Sequence, residues 1–146
     1  MPTDTRYLFI YGTLMSSAAT DFGAEQRVRL ASESDSLGPA SLPHALLYDL
    51  GRYPGAVSGG GLYDIVHGEV VLLADAVASL AWLDDYEGYA PNGDNNEADS
   101  NEYERAVRQV RLAGGETFDA WVYLLREAPA DADACRIASG RWESRR

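Results

Sequence analysis

The chain has 146 residues, is 46% apolar and carries a formal net charge of −11, which fits one domain, spanning 1–146, with a core of its own. Such acidity repels phosphate backbones and sets nucleic acid aside as a partner. No apolar run approaches the roughly 18 residues of a membrane span, and residues 1–6 lack the basic and apolar regions of a signal peptide, so a cytoplasmic location is expected.

Taken in order, Tyr7-Leu-Phe-Ile-Tyr11 is β-branched and aromatic and predicts a buried strand. Gly12 breaks it, and a glycine at the end of a buried strand either makes a plain turn or lets the backbone approach a ligand closely. Residues 16–43 are small and polar, with weak alternation around Arg27–Leu30. They predict a loop with at most one short strand, and Leu37-Gly38-Pro39 reads as a turn. His44–Leu50 predicts a strand, 51–57 a turn running into an extended piece, and Ser58–Gly61 a flexible loop too short to link domains.

Val66–Leu73 is a further strand, in which Gly68 signals a bulge or tight packing. Asp75 is placed to cap a helix running to about Tyr86, with Val77, Leu80 and Leu83 as its inward stripe and Trp82 sealing an edge. Pro91–Asn101 is a polar, acidic surface loop. Tyr103–Leu112 alternates as a strand, Gly114-Gly115-Glu116 makes a hairpin turn, and Phe118–Leu125 is the partner strand. Asp131 or Asp133 caps a last short helix through Ala138. Hairpins in place of regular βαβ alternation argue against a doubly wound sheet. The fold class expected is α+β: a small mixed β-barrel of five to seven strands flanked by short helices.

The stretch Leu83-Asp84-Asp85-Tyr86-Glu87-Gly88-Tyr89 carries the chemistry most directly. A glycine just past a helix supplies the left-handed conformation that ends it, which leaves Glu87 at the junction of helix and loop. Asp84, Asp85 and Glu87 either form a solvated acidic helix end or cluster and repel, which raises at least one carboxyl toward the range of a proton shuttle. The lone cysteine, Cys135, rules out an internal disulfide and reads as a small buried hydrophobe. With only His44 and His67 available, neither a Cys–His site nor a His/Cys metal cluster is expected.

Three pieces together resemble the γ-glutamylcyclotransferase-like superfamily. Tyr11-Gly12-Thr13-Leu14 is similar to its glycine signature and Leu83–Tyr89 to its acidic motif. Tyr103-Glu104-Arg105 with Ala120-Trp121-Val122-Tyr123 is similar to its late hairpin, and Gly55-Ala56-Val57 and Gly68-Glu69-Val70 also fit. The resemblance implies a barrel with a cavity near the first glycine loop, and a reaction without cofactors. In that reaction a γ-glutamyl amine or γ-glutamyl amino acid cyclises to 5-oxoproline and releases an amine. It further implies that Glu87 is the acid/base and that Tyr11, Gly12, Thr13 and Leu14 hold the substrate.

The residues suit that chemistry. Cyclisation brings its nucleophile with the substrate, so the protein must fold the glutamyl chain and move a proton. Backbone N–H groups around Gly12–Leu14 are candidates to stabilise the developing oxyanion or to bind the substrate carboxylate. Tyr123 either points its hydroxyl into the cavity or is a core tyrosine with a satisfied hydroxyl. Arg105 pairs with a carboxylate, the substrate's or an internal one. Glu69, inside a strand pattern, is the rival carboxylate. The alternative function is a non-catalytic small-molecule-binding barrel using the same pocket, and a third is an interaction module built on the acidic loop 91–101.

Overall fold

The computed structural model describes residues 5–12, 24–51, 54–87 and 103–142. Along the chain these form β1 (Tyr7–Ile10), α1 (Ala24–Ser32), β2 (Ser34–Pro43), β3 (Ala45–Asp49) and β4 (Pro54–Ser58). There follow β5 (Ile65–Leu73), α2 (Ala76–Glu87), β6 (Tyr103–Leu112), β7 (Thr117–Leu125) and α3 (Ala132–Cys135). Five strands close a barrel in the order β1-β5-β2-β6-β7, and β3 and β4 pair as a separate two-stranded sheet. The barrel is mixed, as expected. Four of its pairings are antiparallel, and β1 closes on β7 in parallel with Leu8 opposite Trp121.

Side-chain alternation along the strands divides the apolar residues into two clusters. Phe9, Leu42, Val66, Val70, Val110, Ala120, Val122 and Leu124 pack together, joined by Ala45, Leu47 and Ala56 of the β3–β4 pair. The opposite faces of the same strands present Leu8, Ile10, Val71, Leu73, Tyr103, Tyr123 and Leu125 to Leu30 of α1 and Leu80 and Leu83 of α2. The helices thus cover one flank of the barrel, and α2 carries its C-terminal end to the β6–β7 hairpin. Gly68 explains itself by close approach, because a Cβ there would run into the Ile10 carbonyl and lie 2.9 Å from the Phe9 ring.

Residues 16–43 depart from the sequence reading. The described part holds a nine-residue helix and a ten-residue strand in place of a loop with one short strand. The helix is polar nearly all round and buries only Leu30. In β2, the predicted turn at Leu37-Gly38-Pro39 is a register shift between Ser36 and Gly38 against β5, with Gly38 at φ 99°. The turn residues are absorbed as a bulge, which lets pairing continue on both sides.

The capping expectation for α2 holds: the Ala78 N–H donates to Asp75 Oδ1 at 3.1 Å. Its inward stripe differs, since Val77 is 83% exposed, while Ser79 and Asp84 are buried beside Leu80 and Leu83. Ser79 donates to Glu33 at 2.6 Å and Trp82 Nε1 donates to the same carboxylate at 2.8 Å. Arg29 reaches Glu33 at 3.1 Å and lies over the Trp82 ring, so one glutamate ties α2 to α1. The last helix stops at Cys135, not Ala138, and Asp131 makes no side-chain cap bond. Cys135 is only partly buried.

Candidate active site

The strands deliver three of the expected residues to one region. Tyr11, at the end of β1, donates its hydroxyl to the Tyr123 carbonyl at 2.6 Å and accepts the Ala56 N–H at 3.1 Å. One phenol therefore joins the end of β1 to β7 and β4. Tyr103 adds a second tie, donating to the Pro54 carbonyl at 2.8 Å. Gly12 follows Tyr11, and a Cβ on it would sit 2.9 Å from the Pro54 ring. Its φ is not positive, so glycine is required here by the closeness of β4 rather than by a left-handed turn. Thr13 and Leu14 lie outside the described residues, as do Gly88, Tyr89 and the loop 91–101.

Tyr123 and Arg105 face each other in the β6–β7 register, and both point at α2. The Tyr123 hydroxyl donates to Asp84 Oδ1 at 2.7 Å. Arg105 forks onto the same carboxylate, Nε to Oδ1 at 2.8 Å and Nη2 to Oδ2 at 3.1 Å. Its guanidinium lies 4.4 Å from the centre of the Trp121 ring. Of the two readings for Tyr123, the satisfied core hydroxyl is the one observed. Burial first, and then the Asp84 carboxylate, push that hydroxyl well above the usual phenol range; Arg105 opposes the rise and the charge of Glu87 adds to it. Arg105, likewise, takes the internal partner.

Glu87 is the last residue of α2 and half-buried. It stands three positions beyond Asp84, hence on the same flank of the helix, and its charge is felt at Tyr123. Of the other two acids of the motif, Asp85 is exposed and Asp84 is held by Arg105. The rival Glu69 is 8% exposed in β5 and accepts the Ser36 hydroxyl at 3.1 Å. It pairs in register with Ile10; two residues on from the Leu8–Trp121 pair, Ile10 comes level with Tyr123. Glu69, Ile10, Tyr123 and Arg105 therefore form one row across the flank that α2 covers.

The role of Asp84 as the anchor is what sequence reasoning missed. The available signal was an arginine and a tyrosine on the same face of a predicted hairpin, since two such donors require a buried acceptor. Among the described residues no group of three His, Cys, Asp or Glu side chains converges to hold a metal ion. No helix among them is long and apolar enough to cross a membrane. A polar cleft elsewhere, lined by Ala45, Leu47, Asp64, His67, Arg136 and Gly140, contains none of the expected site residues. Its Asp64 and Arg136 already pair at 2.6 Å.

Residues 8–144 match the family described as "Gamma-glutamyl cyclotransferase, AIG2-like". The chain belongs to this family. It is 31% identical over 138 residues to the gamma-glutamylcyclotransferase family protein YtfP of Escherichia coli (strain K12), covering 94% of this chain and 96% of that protein. The solution structure of ytfP from Escherichia coli superposes with a TM-score of 0.56 at 30% identity, covering 93% and 95% of the two chains. An AIG2-like protein from Mus musculus matches the fold with a TM-score of 0.67 at 16% identity, covering 97% and 90%. Family and neighbours agree with the barrel expected from the ordered motifs, and the matched region contains Tyr11, Gly12, Glu87 and Tyr123.

Proposed function

We propose that this γ-glutamyl cyclotransferase family member converts a γ-glutamyl amine or γ-glutamyl amino acid to 5-oxoproline and a free amine, with Glu87 as the general acid/base. The observation that carries the reading is the chain of contacts joining the two motif ends. Tyr11, before Gly12, is bonded to Tyr123; Tyr123 is bonded to Asp84; Asp84 stands one helical turn from Glu87.

In this reading the pocket folds the glutamyl chain so that the α-nitrogen meets its own γ-carbonyl. Glu87 takes a proton from the α-ammonium. The nitrogen attacks the γ-carbon, forming the ring C–N bond and an oxyanion that backbone N–H groups near Gly12–Leu14 stabilise. Glu87 then gives its proton to the departing nitrogen as the oxyanion collapses and the original C–N bond breaks. The ring nitrogen, still carrying one proton more than the lactam needs, sheds it to the freed Glu87 carboxylate, which passes it to the released amine. One carboxylate serves these transfers because they occur in sequence. Tyr11, Gly12, Thr13 and Leu14 hold the substrate, and Tyr123 walls the pocket.

The test is release of 5-oxoproline from a panel of γ-glutamyl amino acids and γ-glutamylamines, followed by Glu87→Gln. Glutamine keeps size and hydrogen-bonding reach but cannot take the proton, so ligand affinity should hold while turnover falls by about 10²–10⁴-fold. Glu69→Gln, made in parallel, should keep far more activity. Turnover by Glu87→Gln at the wild-type rate would overturn the mechanism. Loss confined to Glu69→Gln would transfer the role to β5. Binding of panel compounds without any 5-oxoproline would leave a binding barrel.

A further inference from the structure

We infer that Asp84 and Arg105, with Tyr123, are positioning residues that fix Glu87 and balance the charge beside it, a role that rests on the reading of Glu87 as the acid/base. A buried ion pair is a poor device for stability alone, because well-packed apolar residues of the same volume do as well. What this pair supplies is direction. Asp84 receives a two-pronged guanidinium and a phenol, and the guanidinium is itself stacked on Trp121. Bidentate pairing restricts both distance and plane. Anchored in this way, the last turn of α2 can neither roll nor slide against the hairpin. Glu87, three residues on, has its Cβ about 5–6 Å from that of Asp84 and inherits the constraint.

The charges are also arranged in opposition. A general acid/base must both take and give a proton, so its surroundings must not commit it to either form. An unpaired Asp84 would favour the protonated form of Glu87, and an unpaired Arg105 would favour the carboxylate. Paired with each other, they bring no net charge to the last turn of α2. The pair is one contributor among the charged groups around α2, which include the exposed Arg126 just past β7. Asp85 on the helix itself is exposed, and Glu104 on β6 is exposed. The Tyr123 hydroxyl of β7 and the Tyr103 hydroxyl of β6 are neutral donors. On β5, Glu69 lies at the far end of the row. The Glu33–Arg29 pair serves Ser79 and Trp82, nearer the start of the helix.

The experiment compares wild type, Arg105→Gln, Asp84→Asn and Arg105→Lys. Each is followed by thermal melting, by kcat and KM against pH on a substrate the wild type turns over, and by ¹³C NMR titration of the Glu87 carboxyl, its signal assigned with Glu87→Gln. Arg105→Gln should move the Glu87 midpoint up by about one pH unit and Asp84→Asn should move it down by a similar amount. Both should lower kcat by about 10- to 100-fold with little change in KM, the usual cost of a small misplacement. Arg105→Lys keeps the charge but not the fork, so it should restore the midpoint and not kcat.

Unchanged midpoints in both Arg105→Gln and Asp84→Asn would overturn the charge balance, and that readout stands even where no panel compound is turned over. Wild-type kcat in both, with Glu87→Gln inactive, would overturn the positioning role and leave the acid/base intact. An active Glu87→Gln would instead remove the reading on which this one rests. Where a charge variant fails to melt cooperatively, Tyr123→Phe removes one hydroxyl only. A drop in kcat of about tenfold at an unchanged midpoint supports the anchor, and wild-type kcat overturns it.

Discussion

Glu33 offers the sharpest stability test, because one carboxylate serves three donors from two helices. Ser79 donates at 2.6 Å, Trp82 at 2.8 Å and Arg29 at 3.1 Å. Glu33→Ala would strip the buried Ser79 hydroxyl and the half-buried Trp82 indole of their acceptor and remove the anion beside Arg29. A hydrogen bond to a charged group contributes about 1.5–3 kcal/mol when well shielded. The Arg29 side chain is 56% exposed, so its share is small. Two partly shielded bonds then give a loss of about 2–4 kcal/mol. For a chain of this size each kcal/mol moves Tm by about 2–4 °C, so a drop of about 5–15 °C is expected at neutral pH.

The pH dependence fixes the cause. The Ser79 bond, the Trp82 bond and Arg29 hold the Glu33 carboxyl below its ordinary value of 4.5, against the opposing effect of burial. A lowered folded value means that the stabilisation is complete above 4.5 and is lost as pH falls through the folded value. Denaturation of wild type and Glu33→Gln, followed by circular dichroism from pH 7 down to pH 3, should show two curves that converge on acidification. A difference at pH 7 that persists undiminished at pH 3, or a Glu33→Ala protein within about 2 °C of wild type, would mean that the Glu33 carboxylate does not tie α1 to α2 in this way.

Gly12→Val should cost both folding and binding, because the new side chain must displace Pro54 from a 2.9 Å approach; a loss of about 1–3 kcal/mol is expected. Urea unfolding and ligand titration on the same sample would separate the two effects, and unchanged affinity would move the pocket away from β1. Added salt should raise the thermal midpoint, since a net charge of −11 is self-repulsive and ions screen it. A midpoint that is flat or falling between low and molar sodium chloride would contradict that.

The strands were legible wherever apolar, β-branched and aromatic residues concentrate: β1, β3, β5 and the β6–β7 hairpin fall within a residue or two of their expected limits. The segment holding α1 and β2 was not. α1 buries a single leucine, and β2 opens on Ser34-Asp35-Ser36-Leu37-Gly38-Pro39, residues that ordinarily mark turns. β2 is a strand because β5 and β6 flank it on both sides, a tertiary cause that no local pattern carries. The stripe of α2 was misread for a related reason. Val77 is apolar yet exposed, while Ser79 and Asp84 are polar yet buried. Each buried polar residue has a dedicated partner, Glu33 or the Arg105–Tyr123 pair. Tyr11, Gly12 and Glu87 are candidates that their motifs single out, whereas the Asp84 contacts between them depend on the hairpin register, which fixes which donors face the helix.

Parallel closure of β1 on β7 also has a consequence for synthesis. The pair Leu8–Trp121 joins residues more than a hundred positions apart, and no shorter-range contact can close the ring. On a ribosome adding about 5–20 residues per second, β1 emerges several seconds before its partner strand exists. Until β7 arrives, β1 can dock only on β5, which leaves its other edge unpaired. Folding of the barrel is therefore expected to be governed by this late closure, slow as long-range strand pairings are. That interval, rather than the finished native state, is when the chain is most exposed to edge-to-edge association.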